Sequence, residues 1–314
     1  MQMYNPTHRF DTPAGAPPIT DPITRWNYQF QQPVTQVAVW DDLVYTAVGD
    51  SIVAIGRDGS PQWRFQTDGE VHSSPAVVDG TVFVGSEDNH VYALDANTGT
   101  QQWCFETGNR VWSSPAVDDE TVYVLSGERE FFAINASNGT ECWHFQTSPV
   151  PTKAILKRPI KRVSSPAVAN GVVYIGNRDE RVYALDATDG TKCWSYPTGF
   201  GWIDSSPTML DGTVYVGSDD GNVYALDAST GTQQWWFKTD GEVRSSPAVV
   251  DSTVFVGSDG GTVYALDGTG TEVFKRKAKQ TGSTTQVYQT CPDCEADLSG
   301  HDTMNFCPEC GAEQ

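Results

Sequence analysis

The chain has 314 residues, with 40 acidic against 20 basic side chains, a formal charge of −20 and an isoelectric point near 4.4. That balance argues against a general affinity for nucleic acid or anionic membranes. It suits a carboxylate surface kept hydrated at high salt, where at 1 M the Debye length is only about 3 Å. No run reaches the roughly 18 apolar residues of a membrane-crossing helix.

Residues 1–25 carry Pro6, Pro13, Pro17, Pro18 and Pro22 and no apolar export segment, which predicts a partly ordered, extended arm lying on the body that follows, with disorder as the alternative. Seven cysteines, four of them in a metal pattern, point to a reducing compartment and hence a cytoplasmic protein. If a signal precedes this start, an exported or membrane-associated protein is expected instead.

From residue 26 the chain is an array. The stretch 74–103, SPAVVDGTVFVGSEDNHVYALDANTGTQQW, is written again at 206–235, and worn copies fill almost all of 26–274. Each copy holds four short apolar runs; in the first complete one they lie at 74–78, 81–86, 91–95 and from Trp103 to about 107. Gly, Asp and Asn turns separate them, which predicts a four-stranded antiparallel meander. The second run, TVFVG or TVYVG, is apolar at consecutive positions and therefore buried on both faces. Sheets covered on both sides by copies of themselves predict an all-β propeller.

The turn before the fourth run reads DANTGTQQW (95–103), NASNGTECW (135–143), DATDGTKCW (186–194) and DASTGTQQW (227–235). Its Asp or Asn accepts N–H groups within the turn, its Gly supplies positive φ, and its Trp is expected to pack on the next sheet. These residues resemble the pyrroloquinoline-quinone-type propeller repeat, YVGSxDGxVYALDAxTGxxxW, most closely at 215–235. The resemblance covers about 26–279 and, with the acidity, fits a haloarchaeal source. It implies a family shared by quinone dehydrogenases and non-catalytic scaffolds such as the propeller lipoprotein of outer-membrane assembly.

First-strand copies start near Thr35, Ser74, Ser114, Ser165, Ser206 and Ser246. Fourth-strand openings fall at Trp26, Trp63, Trp103, Trp143, Trp194, Trp235 and Phe274. Six inner sets with one spare outer strand predict six blades, with seven as the alternative. The ring is expected to close through residues 26–30 rather than the worn copy at Phe274. The domain division is an arm at 1–25, a propeller at 26–279, a linker at 280–290 and a zinc ribbon at 291–314.

The ribbon rests on Cys291, Cys294, Cys307 and Cys310, a CxxC-x12-CxxC pattern whose two knuckles aim four thiolates at one ion. Zn2+ is expected to be structural there, because four thiolates leave no open position and so short a module needs the metal to fold. Two redox-active CxxC pairs are the other reading.

Basic side chains concentrate in an insertion after Trp143 (Lys153, Lys157, Arg158, Lys161, Arg162) and at the propeller's exit (Lys275, Arg276, Lys277, Lys279). They either dock a phosphate-bearing or acidic partner or neutralise the protein's own carboxylates. The position before each Ser-Ser-Pro, where the fourth strand hands over to the next first strand, varies as Val34, His72, Trp112, Val163, Asp204 and Arg244. His72, Trp112, Asp204 and Arg244 thus form a candidate ligand rim. Cys104, Cys142 and Cys193 read as packing residues, and the sequon-like Asn135 and Asn138 as turn residues.

A quinone dehydrogenase of the resembled family implies eight blades, a calcium site and adjacent cysteines. This sequence has about six repeats and no adjacent cysteines, so neither pyrroloquinoline quinone nor an enzyme is expected. The expectation is a monomeric scaffold for an unidentified protein partner. The alternatives are a relative of the quinone enzymes and a nucleic-acid-associated factor using the ribbon and basic loops.

Overall fold

The computed structural model describes residues 26–149 and 163–268 and, as backbone, 272–277. The chain divides into two units, 1–277 and 278–314, and the second lies outside the described residues. So do the arm, the basic insertion and the ribbon.

Six four-stranded antiparallel sheets follow one another in chain order, each paired 1-2-3-4. They span 34–66, 76–106, 116–146, 167–197, 208–238 and 248–277, and are called sheets 1 to 6 below. The second sheet shows the unit: Ala76–Val78, Thr81–Gly85, His90–Asp95 and Gln101–Glu106. Asp79 and Gly80 both take positive φ (47° and 77°), the conformation a two-residue hairpin needs to match strand twist. Val82–Gly85 and Val91–Leu94 are buried at every position, as the unbroken apolar runs predicted. The fourth strand starts two residues before the tryptophan expected to open it. Ala93 faces Trp103 while Leu94 faces Gln101, and this one-residue bulge re-aims the indole.

First strands of successive sheets approach one another in order, which makes them the inner strands. Adjacent sheets share apolar cores; between sheets 1 and 2, Tyr45, Ile52 and Ala54 meet Val82, Val84 and Leu94. Five such cores join the six sheets. The fold is a β-propeller of four-stranded blades.

Two sets of hydrogen bonds repeat through it. The first serine of each Ser-Ser-Pro closes its own sheet: Ser73 Oγ donates to Gly85 O and accepts Gly85 N–H, both at 2.9 Å. The second serine joins sheets. Ser74 N donates to Ser114 Oγ, Ser114 N to Ser165 Oγ, Ser165 N to Ser206 Oγ and Ser206 N to Ser246 Oγ, at 2.8–3.1 Å.

The second set fastens the outer edge. Trp63, Trp103, Trp143, Trp194 and Trp235 each donate Nε1–H to a carbonyl in the turn of the next sheet: Ala96, Ala136, Ala187, Ala228 and Gly268. Tyr45, Tyr123 and Tyr174 donate to the same alanine carbonyls as the tryptophans beside them. Burial pushes these phenols up to about 12, so they remain donors throughout the neutral range. The Trp143 ring lies on Gly190, where φ is +73° and a Cβ would come within 2.6 Å of the indole.

Three expectations are corrected. The fourth strand of the last sheet is Glu272–Lys277, so the worn copy at Phe274 fills it and residues 26–30 do not. Residues 26–30 form no ladder. Trp26 instead docks on sheet 1 as the other tryptophans dock on theirs, against Gly59 with Nε1 donating to Arg57 O, and Phe30 covers Val48, Val53 and Ile55. Second, the mutual covering stops at the ends of the array: among the described residues no core joins sheet 6 to sheet 1. Val37 and Val39 on one, and Phe255 and Val263 on the other, are exposed. Third, Cys104, Cys142 and Cys193 are exposed thiols rather than packing residues, because the alternation that buries each neighbouring tryptophan turns them outward.

Trp143→Phe removes the indole donor but leaves Tyr123 on the Ala187 carbonyl, so it is expected to cost about 1 kcal/mol in urea denaturation. Trp143→Ala, which empties the ring's site, is expected to cost about 3–5 kcal/mol. Equal midpoints for both variants and the parent would refute this account of the outer edge.

Candidate functional site

Several segments between a fourth strand and the next first strand are fixed at both ends by backbone chemistry. A buried threonine follows the fourth strands of sheets 1, 2, 3 and 5: Thr67 Oγ1 donates to Asp50 O and Gly69 O, and Thr107 and Thr239 repeat the arrangement. At the far end a buried apolar residue donates back to the preceding sheet, as Val111 N does to Ser86 O and Val243 N to Ser218 O. The rim residues follow the second anchor directly, as His72 follows Val71 and Arg244 follows Val243. His72, Trp112, Asp204 and Arg244 each face a turn between a second and a third strand, and charge collects where the two loops meet.

His72 Nε2 lies 3.1 Å from Glu70 Oε2 and 3.1 Å from Glu87 Oε1. Trp112 donates Nε1–H to the same Glu87 Oε1 at 2.9 Å, and Arg110 Nη1 stands 3.3 Å from Glu87 Oε2. Arg110 and Trp112 also line a cleft of about 620 Å³ whose far wall is Gly127, Glu128 and Arg129. His72 and Trp112 are therefore brought together through one carboxylate.

Asp204 belongs to a second cluster. Arg178, only 4 % exposed, grips it with Nε to Oδ1 at 2.9 Å and Nη2 to Oδ2 at 3.1 Å. The guanidinium also reaches Glu128 Oε1 at 3.4 Å and stacks on Trp202 at 4.4 Å. One side chain thus ties the turns of sheets 3 and 4 to the loop before sheet 5, in a bidentate geometry that repays part of its desolvation. Arg244 forms a third cluster with Asp219 (Nε to Oδ1, 3.0 Å), Glu242 and Asp259. Val163 is buried and Val34 is exposed.

Sequence reasoning missed the facing half of these clusters: Glu87, Glu128, Arg178, Asp219 and Asp259. Glu87, Arg178, Asp219 and Asp259 occupy one repeated place, directly after the Ser or Asn at the close of the second run, and that place varies as the rim does; Glu128 sits one residue further on, because Gly127 fills it in sheet 3. That shared variation was the available signal. The side chains of Lys275, Arg276 and Lys277 lie outside the described residues, as do Lys153, Lys157, Arg158, Lys161, Arg162, Lys279, Cys291, Cys294, Cys307 and Cys310.

One further loop departs from its siblings. Thr198–Asp204 is a residue longer than Thr67–His72, and the extra residue, Phe200, is 96 % exposed. The flanking backbone is held: Gly199 N donates to Asp220 Oδ2, and Asp219 N to Trp202 O.

Among the described carboxylates, burial pushes Asp179 up from its ordinary range, against the opposing hydrogen bond from Tyr183. The folded state therefore keeps this proton to higher pH than the unfolded chain does. Stability falls as pH rises from the ordinary value of about 3.9 towards the folded one. Asp179→Asn, which keeps an acceptor for Tyr183, is expected to raise the melting temperature at pH 7 and to match the parent near pH 3. A lower melting temperature at pH 7 would overturn this reading.

Three segments, 20–110, 104–201 and 198–291, match the sequence family described as outer membrane protein assembly factor BamB. No curated protein matches the chain. Among solved structures it is similar to BamB from Moraxella catarrhalis, with 21 % identity and a TM-score of 0.67, covering 77 % of this chain and 75 % of that one. It is similar to a europium-containing methanol dehydrogenase at 15 % identity and TM-score 0.67, covering 81 % and 72 %. A quinohemoprotein alcohol dehydrogenase, ADHIIG from Pseudomonas putida HK5, aligns at 17 % identity and TM-score 0.59 over 76 % of this chain and 52 % of its own. Those identities speak for the fold alone, whereas the sequence match runs through nearly all of the repeat array: the chain belongs to the BamB family of pyrroloquinoline-quinone-type repeat propellers.

Proposed function

We propose that the chain is a non-catalytic scaffold that presents its loop-bearing face to another protein. The observation that supports this best is the contrast between frame and loops. The serine links, the threonine anchors and the tryptophan contacts recur along the array, while the residues they hold out vary between copies. A rigid frame with varied loops lowers the ordering cost of binding.

Within that face Phe200 is the anchor. A fully presented aromatic ring on a backbone fixed at both ends buries a large apolar area at little entropic cost, which is the profile of an interface hot spot. The neighbouring Trp202, stacked under Arg178, offers a firm base beside it. Phe200→Ala is expected to weaken capture of the partner at least tenfold while the melting temperature stays unchanged. Capture is read with a partner first isolated by cross-linking to the full chain. Unaltered capture by this variant would refute the anchor.

The likeness to a methanol dehydrogenase favours a relative of the quinone enzymes as the competing reading. A thermal shift on adding pyrroloquinoline quinone with Ca2+ would support that reading over the scaffold.

For the C-terminal module we propose a structural Zn2+ on Cys291, Cys294, Cys307 and Cys310, supported by the paired CxxC spacing. One zinc per chain is expected by elemental analysis. The double variant Cys291→Ser/Cys307→Ser is expected to abolish it while the unfolding midpoint of the propeller is retained. A full zinc complement in that variant would reject this site.

A further inference from the structure

The geometry points to a divalent-cation site formed by Glu70, His72 and Glu87, distinct in its residues and chemistry from the four cysteines. Three donor atoms, one imidazole nitrogen and two carboxylate oxygens, lie within 4.8 Å of one another. The His72 Nε2 to oxygen separations are both 3.1 Å. Two ligands that far apart, each about 2.1 Å from a shared ion, subtend roughly 95° at it, close to an octahedral edge.

A separate observation concerns the nitrogen itself. Nε2 is sealed from solvent and makes no hydrogen bond, although two carboxylate oxygens face it. A single N–H points at one acceptor, whereas here two carboxylate oxygens stand equally close to one nitrogen. A neutral imidazole turning its lone pair to two anionic oxygens is repulsive; a cation between them reverses the sign of every contact.

The surroundings support such a site. Glu87 Oε1 accepts the Trp112 indole at 2.9 Å, which fixes the carboxylate and leaves a lone pair for an ion. Arg110 partly neutralises Glu87 from the other oxygen at 3.3 Å. Glu70 and Glu87 against Arg110 leave one net negative charge before an ion binds. Glu70 is 59 % exposed, so the ion enters from the solvent side and keeps waters in its remaining positions. One nitrogen with two carboxylates suits Mn2+, and equally Zn2+ or Co2+, better than Ca2+, which prefers an all-oxygen shell. The site adjoins the cleft lined by Arg110 and Trp112, so a bound cation would add positive charge at its edge. It does not involve Phe200, and either reading can fail without the other.

The test uses Mn2+ on the full chain, because thiolates compete poorly for this ion. The probe is electron paramagnetic resonance in molar NaCl, which suppresses diffuse binding to the acidic surface. One equivalent of Mn2+ is expected to bind, with nitrogen coupling in its spin-echo modulation. His72→Ala is expected to weaken binding at least tenfold and abolish that coupling. Glu70→Gln, at an exposed position, is expected to weaken binding while the circular dichroism is retained, and it serves if His72→Ala does not fold. His144→Ala, which breaks an exposed His–Glu contact elsewhere, is expected to change nothing. Absence of binding, binding without nitrogen coupling, or parental binding in the Glu70 and His72 variants would each overturn the site.

Discussion

The array depends on one alanine carbonyl in the turn between the third and fourth strands. At Ala96, Ala187 and Ala228 that oxygen accepts both an indole N–H and a phenol O–H from the preceding sheet. Each ring can reach it only because Asp95, or its counterpart, folds the turn around its own carboxylate. Asp95 Oδ1 accepts Asn97 N, Thr98 N and Thr98 Oγ1 at 2.8–3.0 Å, and this presents the carbonyl outward. Local turn chemistry therefore sets the spacing between sheets. Asp227, held in the same way by Ser229 and Thr230, is drawn down to about 2, so its contribution is complete above the ordinary carboxylate range and lost only in strong acid.

At the inner edge the paired serines divide the work. One satisfies the end of its own second strand; the next receives an N–H from the sheet before it. Neither bond is strong alone, at about 1 kcal/mol each. Their value is positional: they leave no room for the loops to drift, so the rim side chains project from fixed points. The three charge clusters then settle into fixed pairings, with Arg178 the most buried of the cations and Glu87 the one carboxylate shared by His72, Trp112 and Arg110.

The ends of the array obey the same rules with a different outcome. Trp26 reproduces the docking of an outer-strand tryptophan although residues 26–30 belong to no sheet. Trp26 therefore marks the place of a neighbouring blade's outer strand against sheet 1, while the outer strand of sheet 6 is already supplied by 272–277. Val37, Val39, Phe255 and Val263 are exposed because they occupy faces that every interior sheet buries against its neighbour.

The sequence alone determined the blade: the number and order of strands, the turn residues, the doubly buried second strand and the docking tryptophan all follow from local chemistry repeated about every forty residues. It also marked His72, Trp112, Asp204 and Arg244 as positions that vary inside a constant frame. What it left undecided were contacts between residues far apart in the chain. Arg178 meets Asp204 across 26 positions, and Trp112 meets Glu87 across 25, through loops from different blades. The choice between 26–30 and 272–277 as the last outer strand was equally a matter of tertiary pairing, because both segments carry an aromatic at the required place. A repeat encodes its own fold many times over, but which variable side chains face each other depends on how blades are set side by side, and no single copy contains that information.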